Sequence, residues 1–405
     1  MAPPLSIYML SSWQVPCGIA AYTTSLTSAL GQSGDRVVVE PIGPANCGDL
    51  TPDQLVGKED AIVRRSRDFD VVHIQHEYSF FLYKGMKEET GITHLGRLVK
   101  RLRLAGCPLV ITFHSQPPGP VPLLRRVVPT GYPVERAWQK QVIRRLRDDP
   151  GCHSIVHTTH TRERFIRQGV PPGRVTRLPL GIPRDVRPQD PSSREQALAA
   201  LGYGPGTRLL ALFGFISPYK GTETALESLL HLPPHFHLAL VGGTHPQAVH
   251  DPTFDRLLSL LRRHPALKPR VRITGYAPPA DFLRYQEAAS YCLAPYRNVP
   301  YSGSAAIGSA LASGVPVIAS RIPTFEEIEG ESRALRLVSP ESPTELAGEI
   351  KHLEAHPVIR HALVAAAFAY VDANAWSRVA ERHRHVYRAV VSPGSLSPAS
   401  PALAP

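Results

Sequence analysis

Two segments of the sequence combine residue types that bind anions. FISPYKG (215–221) follows an apolar run and carries Lys220, whose ammonium can neutralise a diphosphate. YSGS (301–304) places Ser302, Gly303 and Ser304 immediately before an alanine-rich stretch that is typical of a helix. Hydroxyls and backbone N–H groups at a helix N-terminus form a favourable anion site. Together the two segments predict a site for a phosphorylated ligand.

A third glycine-containing segment lies near the N-terminus. In VPCGIAAYTTSLTSAL (15–30), Gly18 allows close approach of a ligand to the backbone where a helix begins after the first predicted strand. The segment lacks the full GxGxxG spacing of a dinucleotide fingerprint, and no acidic ribose-binding residue follows at the expected distance. These departures argue against an NAD-dependent enzyme.

Two predicted strands end in ionisable residues. HIQHE (73–77) brings His76 and Glu77, and ITFHS (111–115) brings His114, to the carboxyl edge of the first predicted sheet, where ligands bind in such folds. For any single histidine a structural role is equally open, since the chain has 18 histidines. The spacing contains no compact set of metal ligands, so no metal is expected.

Short apolar runs and helix-like segments alternate along the whole chain. In the first half this βαβ alternation predicts a mostly parallel sheet. The proline-rich segment 116–122 directly follows a strand end and is predicted to be a site loop. The predicted strands are 5–10, 37–42, 70–75, 108–114 and 153–158, and the predicted helices are 20–30 and 93–104.

A second alternation follows the polar, proline-bearing stretch 184–195, which is predicted to be the domain hinge. We therefore expect an α/β protein with two Rossmann-like domains whose parallel sheets face a central cleft. The predicted divisions are 1–183, 184–374, a helix at 375–391 and a disordered tail at 392–405. The second set of strands is 209–215, 237–243, 270–276, 291–295 and 315–320, with helices at 222–230, 254–263, 280–289 and 304–313.

Composition narrows the class of protein. The 405 residues are 43% hydrophobic and 20% charged, as in a globular chain with a buried core. The net charge of +11 favours anionic partners, but no aromatic-interleaved basic platform supports a nucleic-acid protein. The five cysteines are scattered without CxxC spacing, which indicates a reducing compartment. No leader or spanning segment is evident, so we expect a cytoplasmic location with at most peripheral contact at the inner membrane surface.

Read together, the motifs resemble glycosyltransferase family 4, which has the GT-B fold. The segments that carry this resemblance are QHEY (75–78), TFHS (112–115), SPYKG (217–221), VGGTHP (241–246) and YSGS (301–304). The resemblance runs from about Ile7 to Tyr387, and the segment WSRVAERHRHVY (376–387) is similar to the family's crossover helix. The order of the motifs is more specific than any one of them.

The resemblance implies a retaining, metal-independent hexosyltransferase that uses a UDP- or GDP-linked sugar. Lys220 would pair with the diphosphate, and Ser302, Gly303 and Ser304 would hold phosphate or sugar oxygens. Gly18 would admit the phosphate from the facing domain. His114 would lie near the transferred sugar and assist an oxocarbenium-like transition state, and His76 and Glu77 would contact the sugar or the acceptor.

The sequence departs from the family pattern at two places. Many members carry paired glutamates around the donor loop, where this chain has Tyr301 and Ser309, and the arginine of the GR-x5-KG segment is replaced by Phe215. The absence of both glutamates makes a catalytically inactive sugar-nucleotide-binding relative the main alternative interpretation. A sugar-nucleotide epimerase of the same fold is a third interpretation, which the missing glutamates disfavour because an epimerase needs acidic groups to move protons at the sugar. The acceptor cannot be read from the sequence: a glycan, a lipid-linked group and a small molecule all remain open.

Overall fold

The computed structural model describes residues 3–77, 80, 88–117, 133–184, 191–244, 252–297 and 303–392. Contacts divide the chain into two compact units. Unit 1 comprises Met1–Gly181, Pro300–Gly303 and Trp376–Pro405, and unit 2 comprises Ile182–Val299 and Ser304–Ala375. The helix near the C-terminus therefore belongs to the same unit as the first half of the chain.

Unit 1 contains a six-stranded, wholly parallel sheet. Its strand order is β2-β1-β3-β4-β5-β6. All residues of β3, β4 and β5 are buried, as expected for parallel strands that are covered on both faces. The strands are β1 (Ser6–Ser11), β2 (Arg36–Pro41), β3 (Val71–His76), β4 (Leu109–Phe113), β5 (Cys152–Val156) and β6 (Val175–Arg177).

Helices connect these strands and cover the sheet. Helix α3 begins with a capping box in which Thr51 and Gln54 satisfy each other's backbone N–H groups. A π-helical segment, Gln139–Ile143, joins α5 to α6. The helices of unit 1 are α1 (Gly18–Gln32), α2 (Pro44–Cys47), α3 (Pro52–Arg65), α4 (Glu88–Leu104), α5 (Pro133–Trp138), α6 (Arg144–Asp148), α7 (Thr159–Arg167) and, from the end of the chain, α16 (Trp376–Val391).

Unit 2 contains the second six-stranded parallel sheet. Its strand order is β12-β11-β10-β7-β8-β9, so the order of connection reverses between β7 and β10. That is the order of a doubly wound dinucleotide-binding fold. The strands are β7 (Arg208–Phe213), β8 (Phe236–Val241), β9 (Val271–Ile273), β10 (Tyr291–Ala294), β11 (Val317–Ser320) and β12 (Leu335–Val338).

The helices of unit 2 pack on both faces of its sheet, and two apolar clusters result, one on each face. Alanine is frequent in the cluster that includes Ala211, Ala239 and Ala294, which lets helices approach that face of the sheet closely. The helices are α8 (Pro191–Ala200), α9 (Thr222–Ser228), α10 (Thr253–Arg263), α11 (Pro279–Ala288), α12 (Ala305–Ala312), α13 (Pro323–Ser332), α14 (Pro343–Ala355) and α15 (Pro357–Ala373).

The predicted α/β class with two parallel sheets is confirmed. Within the predicted hinge at 184–195, residues from Pro191 onward form the start of α8. Serine and proline are common in a first helical turn, which is why the composition resembled a linker. Residues 118–122 of the predicted site loop and 393–405 of the tail lie outside the described residues. In the part of the chain that is described, no helix combines the length and apolarity needed to cross a bilayer.

Candidate functional site

Ligands of doubly wound sheets bind at the carboxyl ends of the strands where the connection order reverses. In unit 2 this position lies between β7 and β10. The segment that follows β7 contains Lys220, and the segment that follows β10 contains Tyr296. The topology therefore selects these two segments as the candidate donor site of unit 2.

The loop after β7 holds Lys220 against the end of its own strand. A short 3₁₀ turn, Pro218–Lys220, ends at Gly221, whose φ of +64° is in the left-handed region. A Cβ on Gly221 would overlap the carbonyl oxygen of Pro295, so the loop after β7 packs backbone to backbone on the loop after β10. Glycine is required here for both reasons.

Lys220 is linked to Ser304 through Tyr296. The Lys220 Nζ donates to the carbonyl oxygen of Phe213 at 3.2 Å and to the hydroxyl of Tyr296. The same hydroxyl lies 3.0 Å from the Oγ of Ser304. The Nζ also lies 4.3 Å from the centroid of the Tyr296 ring, within range of a cation–π interaction. Two residues predicted from separate motifs are thus joined by a third.

The electrostatic setting of Lys220 suits an incoming anion. Its side chain is only 6% exposed, and its hydrogen-bond acceptors among the described residues are neutral oxygens. Burial lowers the pKa of the Lys220 ammonium from its ordinary value. A buried cation without a counterion is costly, and an arriving diphosphate would offset that cost.

The side chain of Ser304 contacts a neighbouring loop and does not cap the helix that follows it. Ser304 is the N-cap residue of α12, yet its side chain makes no cap hydrogen bond and instead contacts Tyr296. Gly303 packs closely in unit 1, where an added Cβ would overlap the side chain of Leu180. Packing therefore explains the glycine without a ligand. Ser302 and Tyr301 lie outside the described residues.

The position of one missing glutamate is occupied by a neutral pair. Gln286 Nε2 donates to Ser309 Oγ at 2.7 Å, so the hydroxyl on α12 is held by α11. A carboxylate at this position would carry a negative charge that the amide and hydroxyl do not. The second such position, Tyr301, lies outside the described residues.

In unit 1, Gly18 begins α1 directly after the turn that follows β1. Cys17 is the N-cap and provides no side-chain cap, and an added Cβ on Gly18 would meet nothing within 4 Å. The first turn of this 15-residue helix therefore has open space beside it. Uncapped N–H groups beside open space are compatible with the predicted phosphate contact.

His114 follows β4 and has protein partners at both ring nitrogens. Its Nε2 lies 2.8 Å from Gln75 Oε1, and its Nδ1 lies 3.2 Å from the Nε2 of His157. The Tyr22 ring stands edge-on, with centroids 4.9 Å apart. Burial, followed by the neighbouring His157, lowers the pKa of His114 well below its ordinary value. The ring is therefore fixed and neutral at physiological pH.

His76 and Glu77 have different surroundings although they are adjacent. His76 is 1% exposed and packs against the rings of Phe113 and Trp138, and burial lowers its pKa to about 3. Glu77 is partly exposed and accepts a hydrogen bond from the hydroxyl of Ser115. Of the two, Glu77 is the one with access to a ligand.

The structure adds two residues to the predicted set, Tyr296 and His157. Tyr296 lies two residues beyond the end of β10, between the predicted strand 291–295 and the YSGS segment. His157 follows β5 as His114 follows β4, and this shared position after a strand end was the available signal. Across the residues that the structure describes, no group of three or more His, Cys, Asp or Glu side chains is arranged to hold a metal ion.

The chain is similar in sequence to known glycosyltransferases. Residues 207–356 match the family model of glycosyl transferases group 1. A D-inositol 3-phosphate glycosyltransferase of Nocardiopsis dassonvillei is 28% identical over 60% of this chain and 57% of its own length, so this alignment spans less than two thirds of that relative. D-inositol 3-phosphate glycosyltransferase 1 of Catenulispora acidiphila is 27% identical over 90% of this chain and 84% of its own length.

Solved structures share the fold over nearly the whole chain. HepE of Anabaena, solved in complex with UDP-glucose, has a TM-score of 0.71 at 16% identity and covers 95% of this chain and 100% of its own. Sucrose-phosphate synthase of Thermosynechococcus elongatus has a TM-score of 0.71 at 20% identity, and the match covers 96% of this chain and 100% of the synthase chain. Residues 207–356 thus match a group 1 glycosyl transferase domain, the relatives are named glycosyltransferases, and the chain has the fold of GT-B glycosyltransferases of known structure.

Proposed function

We propose that the enzyme transfers a sugar from a UDP-linked donor, with retention of anomeric configuration, and that unit 2 binds the donor. The observation that carries this proposal is the Lys220–Tyr296–Ser304 cluster at the switch point of the second sheet. The choice of UDP over GDP rests on HepE, which was solved with UDP and with UDP-glucose. The transferred group is proposed to be a hexose.

In this proposal Lys220 neutralises the diphosphate as the glycosidic bond breaks. Its ammonium is already oriented by Phe213 and Tyr296, so little reorganisation is needed when negative charge develops on the leaving group. Ser304, with Ser302 and Gly303, would hold phosphate or sugar oxygens, and Gly18 would contact the phosphate. Because an ammonium and N–H groups carry the charge, we propose that no metal ion is required.

On the acceptor side, we propose that His114 lies beside the transferred sugar and that Glu77 contacts the sugar or the acceptor. The neutral state of His114 suits this role, since a neutral ring does not oppose positive charge on an oxocarbenium-like sugar. His76 would support this edge from the core beneath it. Relatives named for D-inositol 3-phosphate make a phosphorylated polyol the first acceptor to test.

A two-stage experiment tests the proposal. Thermal shift with UDP, GDP, ADP and their hexose conjugates should show the largest stabilisation with the UDP series, because a ligand stabilises the state that binds it. Transfer to D-inositol 3-phosphate and to simple glycosides, with and without a chelator, then measures activity and metal dependence, and NMR of the product gives the anomeric configuration. Stabilisation by GDP alone would refute the donor assignment, and binding without transfer or hydrolysis would identify an inactive relative.

A further inference from the structure

A continuous chain of hydrogen bonds crosses the carboxyl edge of the unit 1 sheet through two histidine rings. The carbonyl oxygen of Leu178 lies 2.9 Å from His157 Nδ1. The other nitrogen of His157, Nε2, lies 3.2 Å from His114 Nδ1, and His114 Nε2 lies 2.8 Å from Gln75 Oε1. The ring centroids are 5.0 Å apart. Both rings therefore have their orientation set by the contact between them.

The number of protons in this series of hydrogen bonds follows from which atoms can only accept. The Leu178 carbonyl and the Gln75 Oε1 only accept, so His157 Nδ1 and His114 Nε2 must each carry a hydrogen. Each neutral imidazole carries one N–H hydrogen, which leaves two lone pairs facing each other between the rings. One additional proton, held between His157 Nε2 and His114 Nδ1, completes all three hydrogen bonds and gives the pair a single positive charge.

Rotation of one amide offers a neutral arrangement. If the side-chain amide of Gln75 is flipped, its NH₂ group donates to His114 Nε2. His114 Nδ1 then carries the hydrogen, and it donates this hydrogen to His157 Nε2. In the orientation observed, Gln75 Nε2 instead faces the sulfur of Met9 at 3.1 Å. The orientation of Gln75 is thus coupled to the protonation of the two rings.

The surroundings oppose the charged form. Burial lowers the pKa of His157 to about 4 and that of His114 well below its ordinary range. The carboxylate of Glu77, two residues after Gln75, accepts a hydrogen bond from Ser115. Among the residues that the structure describes, the titratable and charged groups that face the pair from neighbouring elements are Tyr22, His73, His76, Arg177 and His383.

We propose that His157 is a positioning residue for His114 and that the two rings share one proton, whose uptake stops sugar transfer. The inference rests on the proposed place of His114 beside the transferred sugar. The neutral pair presents no charge to a developing oxocarbenium-like centre. A proton taken from solvent by the lone pairs between the rings adds a positive charge that repels this centre.

The dependence of turnover on pH tests the proposal. In the wild type, kcat should fall as the pair takes up its proton below pH 6.5, the ordinary pKa of histidine. Gln75→Glu should move this fall to higher pH by about one unit or more, because a carboxylate beside His114 stabilises the charged pair. His157→Phe should move it to lower pH, because the acceptor of the shared proton is lost. His153→Gln is the control: His153 is buried in β5, the strand that precedes His157, but it contacts Thr176, and its substitution should leave the profile in place.

Side-chain NMR of isotope-labelled histidines gives a readout that needs no activity. The His114 and His157 signals should shift together with one midpoint, and Gln75→Glu should raise that midpoint. Separate midpoints for the two rings, or an unchanged midpoint in Gln75→Glu, would overturn the proposal even if His157→Phe does not fold. If no sugar is transferred under any condition, the proposed function fails, whereas the titration still decides whether the rings share a proton.

Discussion

The ammonium of Lys220 lies 4.3 Å from the centroid of the Tyr296 ring and also donates to the hydroxyl of that ring. The Nζ of Lys220 also donates to the carbonyl oxygen of Phe213, so this carbonyl and Tyr296 together orient the lysine. The hydroxyl of Tyr296 extends the contact to Ser304 at the start of α12. The cluster therefore has one positive charge, oriented by neutral groups.

Lys220→Ala should lower kcat/KM for sugar transfer by about 100- to 1,000-fold, because one preorganised group that stabilises leaving-group charge is removed. The fold should persist, since the substitution removes a buried cation that has no carboxylate among its hydrogen-bond partners. Steady-state kinetics and circular dichroism measure the two effects. Lys351→Ala, at an exposed lysine of α14, is the matched control and should behave as wild type. Near-normal activity of Lys220→Ala would refute the assignment.

Tyr296→Phe should keep the ring over Lys220 and remove only the hydroxyl that joins Lys220 to Ser304. A lost hydrogen bond to a charged group costs about 1.5–3 kcal/mol, which corresponds to roughly 10- to 150-fold in kcat/KM. Tyr203→Phe is the control, because within the described residues the Tyr203 hydroxyl has no hydrogen-bond partner. Equal activity in the two variants would show that the hydroxyl of Tyr296 does not act on the donor.

Gly221→Ala should destabilise unit 2 and displace Lys220. The added methyl would overlap the carbonyl of Pro295, and the residue would have to keep a left-handed backbone. We expect a loss of more than about 1 kcal/mol of unfolding free energy together with reduced transfer. Gly330→Ala, within α13, has open space and should be neutral or slightly stabilising. Denaturant unfolding of the two variants measures the difference, and equal stabilities would contradict the close approach seen at Gly221.

Unit 1 should lose stability steeply as the pH falls from 6.5 to about 4. Four of its buried histidines have a pKa lowered by burial: His76 to about 3, and His153, His157 and His383 to about 4. The unfolded chain binds these protons near pH 6.5 whereas the folded unit does not, so acid favours unfolding by up to about 1.4 kcal/mol per pH unit for each histidine. Urea unfolding at several pH values measures the slope, and His153→Gln should make it shallower by one proton. A slope that is flat over this range would contradict the burial of these rings.

His114→Ala should reduce kcat more than it raises the KM for the donor, because the proposed role of His114 concerns the transferred sugar and not the diphosphate. A loss of about 10- to 100-fold in kcat is expected for one positioned neutral group. Donor binding measured by thermal shift should change little. An unchanged kcat would remove His114 from the reacting centre.

The order of the motifs was enough to predict the fold and the positions of several site residues. Parallel strands end at one edge, so residues placed just after strand ends, such as Lys220 and His114, could be assigned to that edge from local patterns alone. The role of Tyr296 could not be predicted in the same way. Its contact with Lys220, which lies 76 residues earlier in the chain, depends on the close approach of Gly221 to Pro295.

The histidine cluster of unit 1 was beyond local reasoning for a related cause. His383 contacts Tyr22, which lies 361 residues earlier in the sequence, and Tyr387 contacts His73, which lies 314 residues earlier. The sequence around His383 and Tyr387 contains no pattern that indicates these distant partners. Burial also determines which of two adjacent residues can reach a ligand, because His76 is buried in the core and Glu77 is partly exposed. The alternation of residues along the strand did not distinguish the two.

The return of α16 to unit 1 has a consequence for biosynthesis. On the ribosome, the first 181 residues emerge long before Tyr387 and His383 exist, so His73 and Tyr22 lack their final partners throughout the translation of unit 2. Until α16 leaves the exit tunnel, the nascent amino-terminal half cannot complete its fold, and the apolar surface that α16 covers is exposed. Chaperone dependence and sensitivity to premature stop codons should therefore concentrate in this half of the protein.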